Sequence, residues 1–564
     1  MATTLNPRLI SAALAMNLAL LAARAGAEAP RREYIVEATD AAAAALAVHR
    51  VGGRVTHELP IVNGVSARLS LGQASVLIKS PKIQLFADQR LATQSAGVVP
   101  DVYQRAMIGV DQLAAQGING LGVTVAVLDS GAFQSTGPTY TMVDLNGKNR
   151  MLAQYDAINN VLVDASHRCR KFPCVNDTDG HGTHILSLIA SSNTVDPLQN
   201  GEPRGIAPMV NLINVKAFDG NGNGTYANVL NGLNWILANR NTYGSIRVVN
   251  LSFGAKPQSF YWNDPIDQAV MKLWQAGIVV VASAGNFGPN PQTIAVPGNT
   301  PYVITVGAMT DNYTPNDPTD DGVTSFSSAG PTYEGFVKPD LVAPGGHLSA
   351  YMDMASQRLP QSFPQFTTVQ GDMFEMSGTS QSAAVTTGVV ALMLQANPSL
   401  TPDQVKCRLL ASASSAVGRN GMAAYTVFQQ GAGRIDAYHA VYSQAANCAN
   451  QGLNIAADIA GTAHFGGPAH QDKTTGVFYV LSTYGIPMIA DGYLWNQSFA
   501  KNQGYLWNNG YLWNNGYLWN NGYLWNNGYL WNNGYLWNNG YLWNQNSMAP
   551  ASTISAAESW NAQE

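Results

Sequence analysis

Three polar side chains in this sequence have the residue types needed for nucleophilic catalysis. Asp129 ends the apolar run VAVLD, His181 opens the helical pattern HGTHILSLIAS, and Ser380 lies at the start of a second helical pattern, TSQSAAVTTGVVALML. A serine hydroxyl is a weak nucleophile at neutral pH, so it needs an imidazole to take its proton and a carboxylate to fix the imidazole tautomer. The three residues therefore predict a Ser-His-Asp triad.

Each of these residues taken alone has a more ordinary interpretation. An aspartate after a strand is commonly a cap or turn residue, and a histidine at a helix start is usually structural. The combination of all three, each in a segment that contains glycine, is what indicates catalysis.

The elements around the three residues predict an α/β fold. Between about Val102 and Cys448, short β-branched runs alternate with helical patterns. The runs are GVTVAVLDSG, VNLINVKAF, IRVVNLSFG, GIVVVASAGN and YVITVGAM, and the clearest helices are YANVLNGLNWILANR and PIDQAVMKLWQAG. This alternation favours a mostly parallel sheet with helices on both faces, in which ligands bind at the carboxyl ends of the strands.

The order Asp, His, Ser along the chain is that of subtilisin. From about Val102 to Tyr442 the sequence resembles the subtilases, the subtilisin-like serine proteases. The resemblance also rests on VVNLSFG, VASAGN, VPGNTPYVITVGA, and SFSSAGP followed by KPDLVAPGG, which stand in the family's order. It implies a three-layer α/β fold and an endopeptidase that forms an acyl-enzyme, with no cofactor required for catalysis.

The resemblance implies further site residues. Asn286 in SAGN would donate its side-chain amide to the oxyanion of the tetrahedral intermediate, and the Ser380 backbone N–H would be the second donor. A peptide substrate would pair as an extra strand with segments 222–226 and 252–254. The implied walls of the pocket for the residue before the scissile bond are Ser252, Phe253, Gly254, Ala282, Ser283, Ala284 and Gly285, with Ala295 near the floor. None is charged, so an apolar or aromatic guest is expected.

The sequence departs from the family just after the nucleophile. Most subtilases carry Met, then Ala, then Pro two residues further on, whereas this chain has Gln381, Ser382 and Ala384. Because the triad, the SGTS turn and Asn286 are retained, we expect an active enzyme with altered fine tuning.

Composition and the N-terminus indicate an exported protein of several segments. The chain has 564 residues, 46% hydrophobic and 12% charged, and its net charge of −5 argues against a nucleic-acid partner. Arg8 precedes the short apolar run LISAALAMNLALLAA, and ARAGA then offers cleavage near Ala25 or Ala27. Residues 1–27 therefore predict a signal peptide of a secreted protein, with a buried N-terminal helix as the alternative. No later stretch predicts a transmembrane helix.

Residues 28–100 predict a small separate unit. From Arg31 to Gln94 the patterns follow a β-α-β-β-α-β-like order. This unit also resembles the inhibitory propeptide of the family. The resemblance rests on the segments YIVEA, VGGRVTHELPIVNGVSARLS and IQLFADQRL. Its own enzyme would then cut it off between about Gln94 and Arg105.

Four cysteines fit an oxidising compartment. The simplest pairing is Cys169–Cys174 with Cys407–Cys448, although four cysteines allow three connectivities. A zinc site is the weaker interpretation. A structural calcium ion is possible, with Asp317, Asp320 and Asp321 as candidates, but a solvated acidic loop is the commoner explanation and the ligands stay unknown.

The remaining expectations concern domain bounds and the C-terminus. The catalytic domain is predicted at 101–449, a linker at 450–491, a GYLWNN repeat tail at 492–546 and a final segment at 547–564. A period of six suits stacked short strands with NNG turns, and the alternative is a self-associating low-complexity tail. Such a tail could bind surfaces, polysaccharide or copies of itself. Two functions are therefore weighed: a secreted endopeptidase with this appendage, and a surface adhesion or assembly protein with an inactive protease-like domain.

Overall fold

The fold is taken from a computed structural model. It describes residues 31–80, 82–88, 90–93, 103–133, 143–164, 175–193, 204–314, 320–367, 373–416, 424–481 and 487–488. The following predicted features lie outside the described residues: the signal peptide, the pair Cys169–Cys174, Asp317, the repeat tail and residues 547–564. The chain divides into two compact units, Met1–Asp88 and Gln89–Glu564.

The first unit has the predicted β-α-β-β-α-β order. Its elements are β1 (Arg31–Glu37), α1 (Ala41–Arg50), β2 (Arg54–Leu59), β3 (Gly64–Ser70), α2 (Leu71–Leu77) and β4 (Gln84–Ala87). The strands form one antiparallel sheet in the order β2-β3-β1-β4. The helices begin where Asp40 and Ser70 accept hydrogen bonds from backbone N–H groups, which satisfies donors that have no partner within the helix.

The predicted closing strand IQLFADQRL is two strands. β4 belongs to the first unit, whereas β5 (Arg90–Thr93) belongs to the second. The period-2 pattern of the sequence does not locate this break, because both halves have the composition of a strand.

A large mixed sheet forms the centre of the second unit. Its strands are β6 (Thr124–Asp129), β7 (Met151–Asp156), β8 (Val161–Asp164), β9 (Asn211–Lys216), β11 (Ile246–Leu251), β13 (Val279–Ser283), β14 (Ile304–Thr310), β15 (Gly322–Val323) and β16 (Leu341–Pro344). The order is β15-β14-β13-β11-β6-β9-β7-β8, with β16 on β14. The five strand runs predicted from the sequence lie side by side and parallel, as expected.

The remaining strands form small sheets. They are β10 (Asn223–Thr225), β12 (Phe253–Gly254), β17 (Leu348–Tyr351), β18 (Met373–Met376), β19 (His470–Gln471), β20 (Phe478–Leu481) and β21 (Pro487–Met488). β17 and β18 form an antiparallel pair, and β5 joins β10 and β12 in a sheet described below.

The second unit also contains helices, several of which pack on the large sheet. They are α3 (Gln104–Met107), α4 (Val110–Ala114), α5 (His181–Ala190), α6 (Tyr226–Ala238), α7 (Pro265–Gln275), α8 (Arg358–Ser362), α9 (Thr379–Ala396), α10 (Pro402–Ser412), α11 (Val427–Gln430), α12 (Ala437–Tyr442) and α13 (Ile455–Ile459). α9 packs on α5 and across β11, β13, β14 and β16, while α6 and α7 pack on each other. The whole of α5 is buried, which explains why, apart from His181 and His184, it consists of apolar and small residues.

Residues 450–481, treated as a linker above, pack against the catalytic unit. Asp458 is buried, and its carboxylate accepts hydrogen bonds from the hydroxyls of Tyr261 at 3.0 Å and Tyr302 at 2.5 Å. The predicted disulfide Cys407–Cys448 is confirmed. It joins the end of the predicted catalytic domain to α10, so residues 450–481 begin from a fixed point.

None of the helices within the described residues is both long and apolar enough to cross a bilayer.

Candidate active site

Asp129 and His181 form a hydrogen-bonded pair at the carboxyl edge of the sheet. Asp129 is the last residue of β6 and His181 the first of α5. The imidazole Nδ1 lies 2.7 Å from Asp129 Oδ1, and both side chains are 0% exposed. Because Nδ1 donates to the carboxylate, Nε2 is left as the atom that can accept a proton.

Two more carboxylates stand in the loop before His181. Asp177 accepts hydrogen bonds from Ser130 Oγ, Thr183 Oγ1 and three backbone N–H groups. Asp179 Oδ2 lies 3.3 Å from the His181 backbone nitrogen, which donates to it. Burial disfavours the imidazolium, but Asp129, Asp179 and Asp177 outweigh that effect and raise the pKa of His181. Burial also raises the pKa of Asp179 to about 6.

Ser380 is the second residue of α9, but its hydroxyl does not contact the imidazole. Ser380 Oγ donates to the Ser252 carbonyl at 3.0 Å, and Ser252 Oγ donates back to the Ser380 carbonyl at 2.9 Å. Within the described residues His181 Nε2 has no hydrogen-bond partner. The structure therefore brings Asp129 and His181 together and leaves the Ser380 hydroxyl turned toward Ser252. Long or absent bonds of this kind are common in enzymes without substrate.

The side chain of Asn286 is oriented by Thr379, the residue that precedes the nucleophile Ser380 in sequence. Its side-chain oxygen accepts hydrogen bonds from Thr379, from the backbone N–H at 3.0 Å and from the hydroxyl at 2.8 Å. With the amide oxygen held in this way, the NH₂ group is the end of the side chain that carries donors. The orienting role of Thr379 was not predicted, although the SGTS turn that contains it was recognised.

The predicted pocket walls converge on Ala295. Ser252 to Gly254 run from the end of β11 into β12, and Ala282 to Gly285 run from β13 into the following turn. A Cβ atom on Gly254 would lie 2.7 Å from the Ala295 methyl carbon, and one on Gly285 would lie 2.9 Å from it. Gly285 has φ +103°, which also favours glycine. Ala295 thus contacts both walls, and none of these residues is charged.

Strand β5 lies between the two segments predicted to bind substrate. It pairs antiparallel with β10, with Ala92 opposite Asn223, and antiparallel with β12, with Ala92 opposite Gly254 and Thr93 opposite Phe253. The backbone of residues 90–93 is therefore the middle strand of a three-stranded sheet. The chain that follows the first unit occupies the strand position expected of a peptide substrate.

The residues that depart from the family pattern are buried. Ser382 Oγ donates to the Ala343 carbonyl at 3.0 Å. Gln381 is 0% exposed, and neither of its side-chain polar atoms has a hydrogen-bond partner among the described residues.

The acidic loop considered for calcium is engaged in other contacts. Asp321 forms an ion pair with Arg434 at 2.8 Å, and Asp320 Oδ1 accepts the Thr314 hydroxyl. Within the described residues no cluster of three histidine, cysteine, aspartate or glutamate side chains is arranged to hold a metal ion.

Comparisons with known proteins identify the family of this chain. The sequence profile of the Subtilase family matches residues 120–433, more than half of the chain. Serine protease AprX of Bacillus subtilis is 39% identical over 299 residues, which are 52% of this chain and 61% of AprX, less than two thirds of that relative. Subtilisin E of Bacillus subtilis is 29% identical over 399 residues, 69% of this chain and 87% of that protein.

A solved structure shows the same fold. The crystal structure of fervidolysin from Fervidobacterium pennivorans, described as a keratinolytic enzyme related to subtilisin, matches with a TM-score of 0.57 and 22% identity over 76% of this chain and 63% of that one. The family match and the relatives support a serine endopeptidase, and this chain belongs to the subtilase family.

Proposed function

We propose that this protein is a secreted serine endopeptidase that is made as a self-processing precursor. The observation that carries the proposal is strand β5, which pairs with both β10 and β12 at the edge of the site that contains Ser380. Backbone pairing of this kind gives affinity for an extended peptide with little dependence on its sequence. The natural substrates are then proteins or peptides.

In the proposed mechanism the Ser380 hydroxyl first turns from Ser252 to His181. His181 Nε2 takes the hydroxyl proton as the oxygen attacks the scissile carbonyl, and Asp129 stabilises the imidazolium that forms. The Asn286 amide and the Ser380 backbone N–H stabilise the oxyanion. His181 then gives its proton to the leaving amine, and water hydrolyses the acyl-enzyme by the same steps. No metal or cofactor takes part.

The register of β5 also indicates where self-cleavage occurs. Ala92 and Thr93, at the end of β5, lie opposite Gly254 and Phe253, and Ser252 is the residue directly before Phe253. Ser252 is the residue whose carbonyl accepts the Ser380 hydroxyl. We therefore propose that the bond after Gln94 is the one cleaved, at the N-terminal end of the predicted interval, and that the released unit stays bound as an inhibitor.

The test is expression of the full chain and its Ser380→Ala variant in a host with the secretion pathway but without added protease. The parent should yield a mature protein that begins at Ser95, and the variant should accumulate with residues 28–94 attached. The substitution leaves the neighbouring residues Thr379 and Gln381 unchanged, so the circular dichroism spectra of parent and variant should agree. A variant cut at the same bond would assign the cleavage to another enzyme.

The adhesion hypothesis, with an inactive protease-like domain, predicts a different outcome. It requires that neither the precursor nor the mature protein turns over casein or a chromogenic peptide. The observed bond from Ser380 to Ser252 does not favour it, because rotation about one side-chain torsion frees the hydroxyl.

The repeat tail is proposed to attach the enzyme to an insoluble partner. Tyr and Trp recur on one side of the predicted strands, and flat aromatic faces without charge favour stacking partners or further copies. A chain that ends at Met488 should keep peptide turnover but lose retention on insoluble polysaccharide, cell envelope or aggregated protein in a pull-down. Truncation at Ala449 would not be a clean test, because it removes Asp458 from Tyr261 and Tyr302. Equal retention of both forms on every material would remove the anchoring role.

A further inference from the structure

A segment far from the triad in sequence contacts the loop that carries His181. It follows β17, and its described part is residues 352–367, before β18 leads to Ser380. The pair β17 and β18 is itself fixed to α5. His184, one turn after His181, has Nε2 at 3.1 Å from the carbonyls of Leu348 and Phe374, one on each strand. Burial and His181 lower the pKa of His184 to about 3, so this imidazole is a neutral donor.

Within the segment, residues 357–359 bind the backbone of the loop 177–180. The N–H groups of Arg358 and Leu359 donate to the carbonyls of Thr178 and Asp179 at 2.9 and 3.0 Å. Gln357 is 0% exposed, and its side-chain NH₂ group donates to the Asp177 carbonyl and to Thr183 Oγ1.

Close packing holds the same loop at its last residue. Gly180 has φ +112°, and a Cβ at this position would collide with the Met352 side chain. The segment therefore packs tightly against the loop at Gly180, the residue directly before His181.

One charge pair joins the segment to the loop. Arg358 Nε and Nη2 donate to Asp179 Oδ1 at 2.8 and 2.5 Å, and Asp179 Oδ2 accepts the His181 N–H. The Asp179 side chain is 0% exposed, whereas that of Arg358 is 36% exposed. The buried Asp179 carboxylate thus contacts Arg358 with one oxygen and the backbone of His181, the first residue of α5, with the other.

We infer that Arg358 is a positioning residue for catalysis. It keeps Asp179 ionised, so that this carboxylate holds the His181 backbone N–H and fixes the orientation of His181. The charges around His181 then suit proton transfer from Ser380. The inference rests on the proposed function, because it concerns the same histidine.

The charged groups that face His181 set the sign of the effect. They are the carboxylates of Asp129, Asp177 and Asp179, with the Arg358 cation directly behind Asp179. His184, on the same helix, is neutral. Loss of the Arg358 cation would make Asp179 and His181 both bind protons at higher pH, since a nearby positive charge opposes protonation of each. The active form has an Asp179 carboxylate and a neutral His181. The acid limb of kcat/KM should therefore move to higher pH.

The experiment measures kcat/KM against pH for the mature parent and four variants. Arg358→Gln should move the acid limb up by roughly half a pH unit or more, a size set by one partly screened charge. Arg358→Lys should restore most of the parent profile. Asp179→Asn should lower the plateau of kcat/KM, because the carboxylate that accepts the His181 N–H is lost, and should move the acid limb down, because it removes an anion that stabilises the imidazolium. Arg434→Gln breaks a comparable ion pair with Asp321 away from the loop and should move nothing.

The outcomes separate this inference from the proposed function. If Arg358→Gln lowers the melting temperature but leaves the acid limb where the parent has it, Arg358 is only structural and the inference is wrong. Should that variant fail to fold, Asp179→Asn decides, since an unmoved or raised limb there contradicts the inference. Absence of turnover in the folded parent would instead overturn the proposed function.

Discussion

Two clusters of buried charge in the catalytic unit are built alike but face different groups. Around His181 stand the carboxylates Asp129, Asp177 and Asp179, which outnumber the nearby cation Arg358. In the second cluster two lysines share one carboxylate: Lys338 and Lys406 contact Asp340 at 2.6 and 3.1 Å. Carboxylates outnumber basic side chains in the first cluster, and basic side chains outnumber carboxylates in the second.

In the second cluster the hydrogen-bond partners of the lysines are groups that take no part in a reaction. Lys406 Nζ also donates to the carbonyls of Pro301, Tyr302 and Val303 and to Asn450 Oδ1, at 2.7 to 3.3 Å. Burial, with the adjacent Lys406, lowers the pKa of Lys338 to about 7 although Asp340 opposes this. These bonds fix α10 and the start of the C-terminal segment to the sheet.

The difference shows that a buried charge or a perturbed pKa does not by itself indicate a catalytic site. The field of the first cluster falls on an imidazole whose charge changes during the proposed reaction, so it affects rate. The field of the second falls on backbone carbonyls, so it affects stability alone. Substitutions in the two clusters should therefore have separable effects.

The largest effect is expected at Asp129. Asp129→Asn keeps the size of the side chain, but its amide no longer selects the His181 tautomer with a proton on Nδ1. We expect kcat to fall by about 10⁴, the loss seen when the triad carboxylate is changed in this way. The measurement is turnover of a chromogenic peptide by the mature protein. Asp321→Asn, which alters an ion-paired carboxylate outside the site, is the control. A kcat within tenfold of the parent would show that Asp129 does not orient the base.

A smaller effect, on stability alone, is expected at Lys406. Lys406→Met leaves the pair Lys338–Asp340 intact and removes a donor from three carbonyls, of which Val303 still accepts from Lys338 and Tyr302 from Asn450. The Pro301 carbonyl loses its donor, and an unsatisfied buried group costs about 1–3 kcal/mol. Denaturant unfolding of the mature protein should show the loss, while kcat per folded molecule stays within about twofold. The exposed Lys148→Met is the matched control. If the folded variant instead shows a shifted pH profile, the two clusters are coupled and their effects on rate and stability are not separable.

The smallest effect is expected at Gln381. Its buried amide has no partner among the described residues, and an unsatisfied polar group costs about 1–3 kcal/mol. Gln381→Met should therefore raise the unfolding midpoint modestly. The same variant should lose more activity in dilute peroxide than the parent, because a thioether is oxidised to a polar sulfoxide and an amide is not. Equal loss in both proteins would mean that oxidation acts at another residue.

The sequence predicts the residues whose roles follow from strand ends and helix starts. Asp129 and His181 were located in this way, and their 2.7 Å contact agrees with the predicted pairing. The parallel sheet and the order of elements in the first unit follow from periodicity. The disulfide Cys407–Cys448 agrees with the simplest of the three pairings that four cysteines allow.

The features that were missed depend on contacts between distant residues. Arg358 meets Asp179 across a separation of 179 positions, and no local pattern links them. Residues 450–481 have little periodicity, and the buried contacts of Asp458 with Tyr261 and Tyr302 depend on a surface that only the folded unit provides. The break between β4 and β5 was hidden because pairing partners, not composition, decide where each strand lies.

The most direct test of the central claim is covalent labelling of the nucleophile. The mature protein is treated with a fluorophosphonate at neutral pH, and the modified peptide is identified by mass spectrometry. We predict one phosphonate per chain, on Ser380, together with loss of peptide turnover. The Ser382→Ala variant, which removes a buried hydroxyl two positions along α9, should be labelled like the parent, and Ser380→Ala should not be labelled. A folded mature protein that takes no label on Ser380, yet cleaves peptides, would contradict the account.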